Sequence, residues 1–247
     1  MSKQIAFLIL LVLTINGNAR GKSVDERIAQ YGGAVRERLA PFFAVAGVSY
    51  PPSKVTLIGL KAERELQLYA AGTNGAYRFI RSYPILAASG GLGPKLREGD
   101  MQVPEGLYQI ESLNPNSRFH LSLRINYPNT VDRARAEKEG RKNLGGDIMI
   151  HGNSVSIGCL AMGDPAAEEL FVLVARTGLR NTQVILSPVD FRVRPAPVRQ
   201  TGAPPWVDVL YGSIKNELSQ YKMKQDAEPS AASLSPAPRT RPSVGAR

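Results

Sequence analysis

The chain of 247 residues contains one cysteine, two histidines and one tryptophan, and each scarcity closes off a class of protein. A lone cysteine, Cys159, makes no intramolecular disulfide, so no cystine framework holds this fold. Two histidines without an H-E-x-x-H pattern, beside a single thiol, do not assemble a zinc site. No metal or organic cofactor is indicated. The nucleophile elbow of serine hydrolases is incomplete, because Gly152-x-Ser154-x-Ser156 lacks the second glycine. Apolar runs are short: Ile5 to Ile15 is about half of the roughly 20 residues that span a bilayer.

Positive charge is in excess. Lys and Arg total 31 against 21 Asp and Glu, a net charge of +10 that attracts anions at long range without specifying a fold. Lys3 precedes the apolar run, and Gly17 and Ala19 follow it in A-x-A-like spacing. Residues 1–19 therefore read as a secretory signal peptide, with a permanent transmembrane anchor as the weaker alternative; cleavage would leave an exported chain of the periplasm or cell envelope with no stable membrane span. No cysteine stands near the cleavage site to accept a lipid. The polyanion met outside the cytoplasm is the acidic wall, and nucleic acid is excluded as a partner.

Residues 20–53 form an N-terminal helical segment, because Ile28, Tyr31, Val35, Leu39 and Phe42 recur at helical intervals before Pro51 and Pro52. Beyond it the period changes to two. Val55 to Gly59, Leu66 to Ala70, Tyr77 to Tyr83, Gly106 to Glu111 and Phe119 to Ile125 read as strands. On the last, Phe119, Leu121, Leu123 and Ile125 face the core while His120, Ser122 and Arg124 face water, so His120 is expected as a solvated imidazole. Asp132 to Gly146 reads as a charged surface insertion with a turn or two of helix, and Asp147 to His151 as a short strand. Asp164 is expected to cap a helix with Pro165 at its first position and Ala167, Leu170, Phe171 and Val174 as its buried stripe. Thr182 to Leu186 closes a domain spanning 54–188. A C-terminal extension over 189–225 carries Trp206, Leu210, Ile214 and Leu218 on one helical face, and 226–247 is too poor in large apolar groups to order.

By residue type Cys159 is an inert buried thiol, an intermolecular partner or a nucleophile. Its surroundings favour chemistry. His151 ends a strand and is joined to Cys159 by a small, polar, glycine-bearing loop, and a histidine within hydrogen-bond reach lowers a thiol pKa from about 8.5 by stabilising the ion pair. Gly158 would let a substrate carbonyl approach the backbone, with amides around Gly158 and Cys159 as oxyanion donors. Ser156 is expected to order the loop. Lys95, Arg97 and Arg124 would ordinarily be solvated charges, yet a guanidinium can clamp a carboxylate.

The pair His151-Gly152 followed by Ser156-Ile157-Gly158-Cys159 resembles the signature of the YkuD-type L,D-transpeptidases, and Gly99-Asp100-Met101-Gln102-Val103-Pro104-Glu105-Gly106 resembles their Pro-x-Gly loop. Gly90-Gly91-Leu92-Gly93-Pro94-Lys95 and Tyr127-Pro128-Asn129 look like marks of the YafK-like branch. The resemblance implies a mainly β (α+β) catalytic domain, a sandwich or barrel with a few helices, flanked by N- and C-terminal helices. It implies that Cys159 attacks the carbonyl after a diaminopimelate residue of a peptidoglycan stem peptide, with His151 as base. Ser156, Gly152, Lys95, Arg97 and Arg124 are then candidate substrate contacts. The thioester would pass to an amine, as in cell-wall cross-linking, or to water, as in release of an envelope lipoprotein from the wall. Many members carry histidine where Ile157 stands and arginine where Ala161 stands, a departure shared by the YafK-like branch. A non-catalytic wall-binding module is the reading of another class.

Overall fold

The structure, a computed structural model, describes residues 21–199 and 201–223. The expected signal segment over 1–19 and tail over 226–247 lie outside the described residues. Helix α1 (Val24–Ala46) opens the described fold, with Ser23 and Glu26 in a capping box and Gly47 closing it in the left-handed conformation. Val35, Leu39 and Phe43 are its buried stripe, whereas Phe42, expected on that face, is exposed one position round the helix.

Eight strands follow, interrupted by helices: β1 (Val55–Leu60), β2 (Glu65–Ala71), β3 (Tyr77–Pro84), β4 (Gly106–Ser117), β5 (His120–Ile125), β6 (Met149–His151), β7 (Leu160–Ala161) and β8 (Thr182–Ser187). They form one curled mixed sheet in the order β3-β2-β1-β8-β4-β5-β6-β7. Central β1 is buried at every position, and its alternation sorts side chains into two cores. Val55 and Leu57 join the larger core, with α1 and α3 (Asp164–Thr177). Ile58 and Leu60 join a second core under α4 (Val207–Leu218), where Leu210, Ile214 and Leu218 are buried. The mainly β body with terminal helices is thus what the structure shows, and the C-terminal helix covers one face of the sheet.

Local differences from the sequence reading concern ends and edges. Strand β4 runs on through Pro115 to Ser117, past two register shifts against β5. A helix, α2 (Thr130–Lys138), starts ahead of the expected insertion because Asn129 accepts from the backbone N–H groups of Val131 and Asp132. The N-cap of α3 is Gly163, and Asp164 is its first residue. Ser122 is buried, so that face of β5 is not wet, whereas Phe119 lies before the strand and is exposed.

Candidate active site

The short strands β6 and β7 lie side by side and parallel, with His151 opposite Ala161. His151 ends β6, and Cys159 directly precedes β7. Their shared edge is fixed on both sides: Gly152 N–H donates to Leu121 C=O at 3.1 Å, and Met162 N–H donates to His151 C=O at 2.8 Å. Local sequence makes this turn possible. A Cβ on Gly152 would stand 2.8 Å from the Phe119 carbonyl oxygen and 3.0 Å from His120 Cβ, so no other residue fits without movement. Asp164 Oδ1 accepts from Asn153 N–H at 2.7 Å and holds the outgoing chain to the start of α3. Gly158 has φ +91°, a conformation for which glycine is suited.

His151 Nδ1 lies 2.6 Å from Gly152 O. A carbonyl oxygen only accepts, so Nδ1 carries the proton and Nε2 holds the lone pair. The ring is 2% exposed and tilted against Phe119, centroids 4.7 Å apart. Burial lowers the imidazole pKa, opposed by the Gly152 contact, which keeps the ring neutral near pH 7. The Cys159 thiol accepts from Met149 N–H at 3.4 Å and donates to Asp147 C=O at 3.6 Å. Burial pushes its pKa up, Asp147 adds to this, and Met149 N–H and Lys95 oppose it. Both shifts favour the neutral forms of thiol and imidazole, and no hydrogen bond joins the two. The hydrogen bond expected between the two side chains is not present: each is bonded to backbone groups instead. A neutral imidazole with a free Nε2 can still take a proton when the thiol attacks.

The loop before Cys159 is tied by two serines. Ser156 Oγ accepts from Cys159 N–H at 2.9 Å and donates to Cys159 C=O at 2.6 Å, which is the ordering role expected of it. Ser89 Oγ accepts from Gly158 N–H and donates to Met101 C=O at 2.8 Å. Both amides considered as oxyanion donors are therefore engaged in the resting site. Ser89 was not foreseen. It sits 69 positions upstream of Gly158, and only the folded chain shows the contact.

The other candidates divide. Lys95 is buried, its ammonium bonded to Asp100 Oδ1 at 2.6 Å and Arg97 C=O at 2.9 Å, so its charge is neutralised within its own loop. Arg124 lies opposite Met149 on β5 and pairs with Glu111 and Asp147, each at 3.2 Å. Arg97 is exposed. His120 is no solvated imidazole: its Nε2 lies 3.1 Å from Glu168 Oε1, and its ring meets Tyr31 edge-on. Ile157 is 81% exposed, and Ala161 is buried. No group of three or more His, Cys, Asp or Glu suited to a metal occurs among the described residues, and no described helix is long and apolar enough to cross a membrane.

The fold thus brings a thiol just before β7 close in the sheet to an imidazole at the end of β6. Residues 54–193, more than half of the chain, match the L,D-transpeptidase catalytic domain, and the chain belongs to this YkuD family. It is 39% identical over 145 residues to the protein named "Putative L,D-transpeptidase YafK" of Escherichia coli K12, a match covering 57% of this chain and 55% of that one. The protein of the same name from Escherichia coli O157:H7 matches with the same figures. The chain thus spans about half the length of the curated relatives it matches. Among solved structures, the helical cell shape determining protein Pgp2 of Campylobacter jejuni superposes with a TM-score of 0.45 at 18% identity, over 68% of this chain and 56% of that one. Bd1075 of Bdellovibrio bacteriovorus gives 0.41 at 20% identity, over 71% and 58%.

Proposed function

We propose that this protein is an exported cysteine acyltransferase of the cell envelope that acts on peptidoglycan stem peptides through a thioester on Cys159. The observation that carries the reading is the commitment of His151 Nδ1 to Gly152 O, which leaves the Nε2 lone pair as base on the strand beside the thiol. Family membership supports the reaction type.

In the first step Sγ attacks the carbonyl carbon that follows diaminopimelate, and the thiol proton passes to His151 Nε2. The tetrahedral adduct collapses with cleavage of the C–N bond, and His151 returns the proton to the leaving amine. An acceptor amine then attacks the thioester and gives its proton to His151, while the sulfur leaves and is reprotonated. Oxyanion stabilisation requires at least one amide, Gly158 N–H or Cys159 N–H, to exchange its serine partner for the substrate oxygen. With water as acceptor the same steps make a hydrolase, and a lipoprotein joined to diaminopimelate would be released.

Incubation with muropeptides, and separately with lipoprotein-linked peptidoglycan, followed by mass spectrometry of the products, tests the proposal. New cross-linked or exchanged peptides are expected. Loss of linked lipoprotein without new cross-links would replace the transferase by the hydrolase. Full activity in a Cys159→Ala variant would defeat both.

A further inference from the structure

Beside the Cys159 site runs a groove of about 740 Å³ that does not include the nucleophile. One wall is built from residues of the loop from Leu92 to Gln102, the other from residues within 197–199 and 201–211, and Arg141, Lys142 and Asn143 complete the lining. The second wall lies beyond residue 193, outside the family match.

Two bridges set the separation of the walls. Tyr211 Oη donates to Glu105 Oε2 at 2.9 Å, and Glu105 Oε1 accepts from Gly93 N–H at 2.7 Å and from buried Lys61 at 3.0 Å. Trp206 Nε1 donates to Glu139 Oε1 at 2.6 Å, and Arg141, paired with Glu139, donates to Leu96 C=O at 2.8 Å. The groove is therefore formed in advance of any ligand, which lowers the ordering cost of binding.

Its charge is one-sided. Arg97, Arg141, Lys142 and Arg199 line it against a single acid, Asp100, whose oxygens already accept from Lys95 and from the backbone N–H groups of Leu96, Arg97 and Gln102. Arg141 is held by Glu139, and Arg199 lies 3.5 Å from Asp208. Arg97 and Lys142 are exposed, and among the described residues their side chains have no carboxylate partner. Leu92, Pro94, Val198 and Val207 supply apolar surface between the charges. Gln102 closes the near end, and its carbonyl oxygen would lie 3.8 Å from a Cβ on Gly158, one residue from the nucleophile.

We propose that this groove is a second binding site, which holds an extended wall peptide by its carboxylates, with Arg97 and Lys142 as the cations that meet them. The identity of the ligand rests on the peptidoglycan reading above. Two exposed cations beside the apolar surface of Leu92, Pro94, Val198 and Val207 fit a short peptide carrying several free carboxylates, and the continuity through Gln102 leads that peptide toward Cys159.

The test is calorimetric titration of the full-length Cys159→Ala protein with a soluble disaccharide tetrapeptide and with the same compound amidated at its carboxylates. The double variant Arg97→Gln, Lys142→Gln in that background is expected to bind the carboxylate form about tenfold more weakly, with a shallower dependence on salt. The amidated compound is expected to bind the unsubstituted groove about as weakly as the carboxylate form binds the double variant. Equal affinity of the two groove sequences for the carboxylate form, or of the unsubstituted groove for both compounds, overturns the proposal. Both substitutions are on exposed side chains, and matching melting curves establish that the variant is folded. Thioester formation on Cys159 is read separately in the protein that retains the thiol, so failure of the chemistry and failure of the groove give different results.

Discussion

Replacing Gly152 by alanine tests how the fold holds the histidine. The new Cβ would stand 2.8 Å from the Phe119 carbonyl oxygen, 3.0 Å from His120 Cβ and 2.5 Å from Asp164 Oδ1. Ordinary carbon–oxygen contacts are about 3.3 Å or longer, so the strand end must move by about half an ångström. Phe119 and His120 are backbone neighbours joined to β5 and cannot swing away as a flexible side chain would. Overpacking of this kind costs about 1–3 kcal/mol, and for a chain of this size each kcal/mol lowers Tm by about 2–4 °C. The displaced Gly152 carbonyl is the acceptor of His151 Nδ1–H. A misplacement of about 1 Å in a catalytic group costs about a hundredfold in rate, so half that displacement costs about tenfold. Thermal melts and a time course of Cys159 acylation by intact mass read the two effects together. A variant with an unchanged Tm and an unchanged acylation rate would refute the steric argument.

Ser156→Ala leaves Cys159 N–H and C=O without their shared partner, and a loss of about 1–3 kcal/mol, seen as a lower denaturation midpoint, is expected with slower acylation. Glu105→Gln removes the counter-charge of buried Lys61, whose pKa burial already lowers, and weakens the tie to Tyr211; a loss of about 3 kcal/mol by denaturant unfolding is expected. The shifts at His151 and Cys159 have their own pH signature. Because folding lowers the His151 pKa, the unfolded chain binds the extra proton first, and stability falls as pH drops through about 6.5. Because folding raises the Cys159 pKa, the unfolded chain loses its proton first, and stability falls as pH rises through about 8.5. Melts of the parent protein and of a His151→Gln, Cys159→Ala variant, compared across this range, should differ in both flanks; identical profiles would show that neither group is shifted by folding.

Much of the fold could be read from the chain because its elements announce themselves locally. The helical period of Ile28, Tyr31, Val35 and Leu39 marks α1, although Phe43 and not Phe42 completes its buried stripe, and the β-branched and apolar residues from Val55 mark β1, although it is buried on both faces. The tail of β4 was missed because Pro115 argues against a strand, and β7 because two residues carry no period. The sheet feeding two cores, with α4 on one of them, follows from pairings across more than a hundred positions, such as β1 beside β8. At the site, residues close in sequence to Cys159 were legible and their distant supports were not. Ser89 against Gly158, Phe119 against the His151 ring, and Tyr211 against Glu105 are contacts between segments with no shared motif. Asp164 was read as a helix cap, yet its carboxylate holds Asn153, since Gly163 takes the cap position.

The central claim is that Cys159 becomes acylated by a wall peptide with His151 as its base. Intact-mass spectrometry of the purified protein after brief exposure to a tetrapeptide donor measures this directly. The account predicts an adduct of the donor's acyl mass that maps to Cys159, is cleaved by hydroxylamine, is absent in Cys159→Ala and forms far more slowly in His151→Gln. An unmodified Cys159 under conditions where donor is consumed would contradict it.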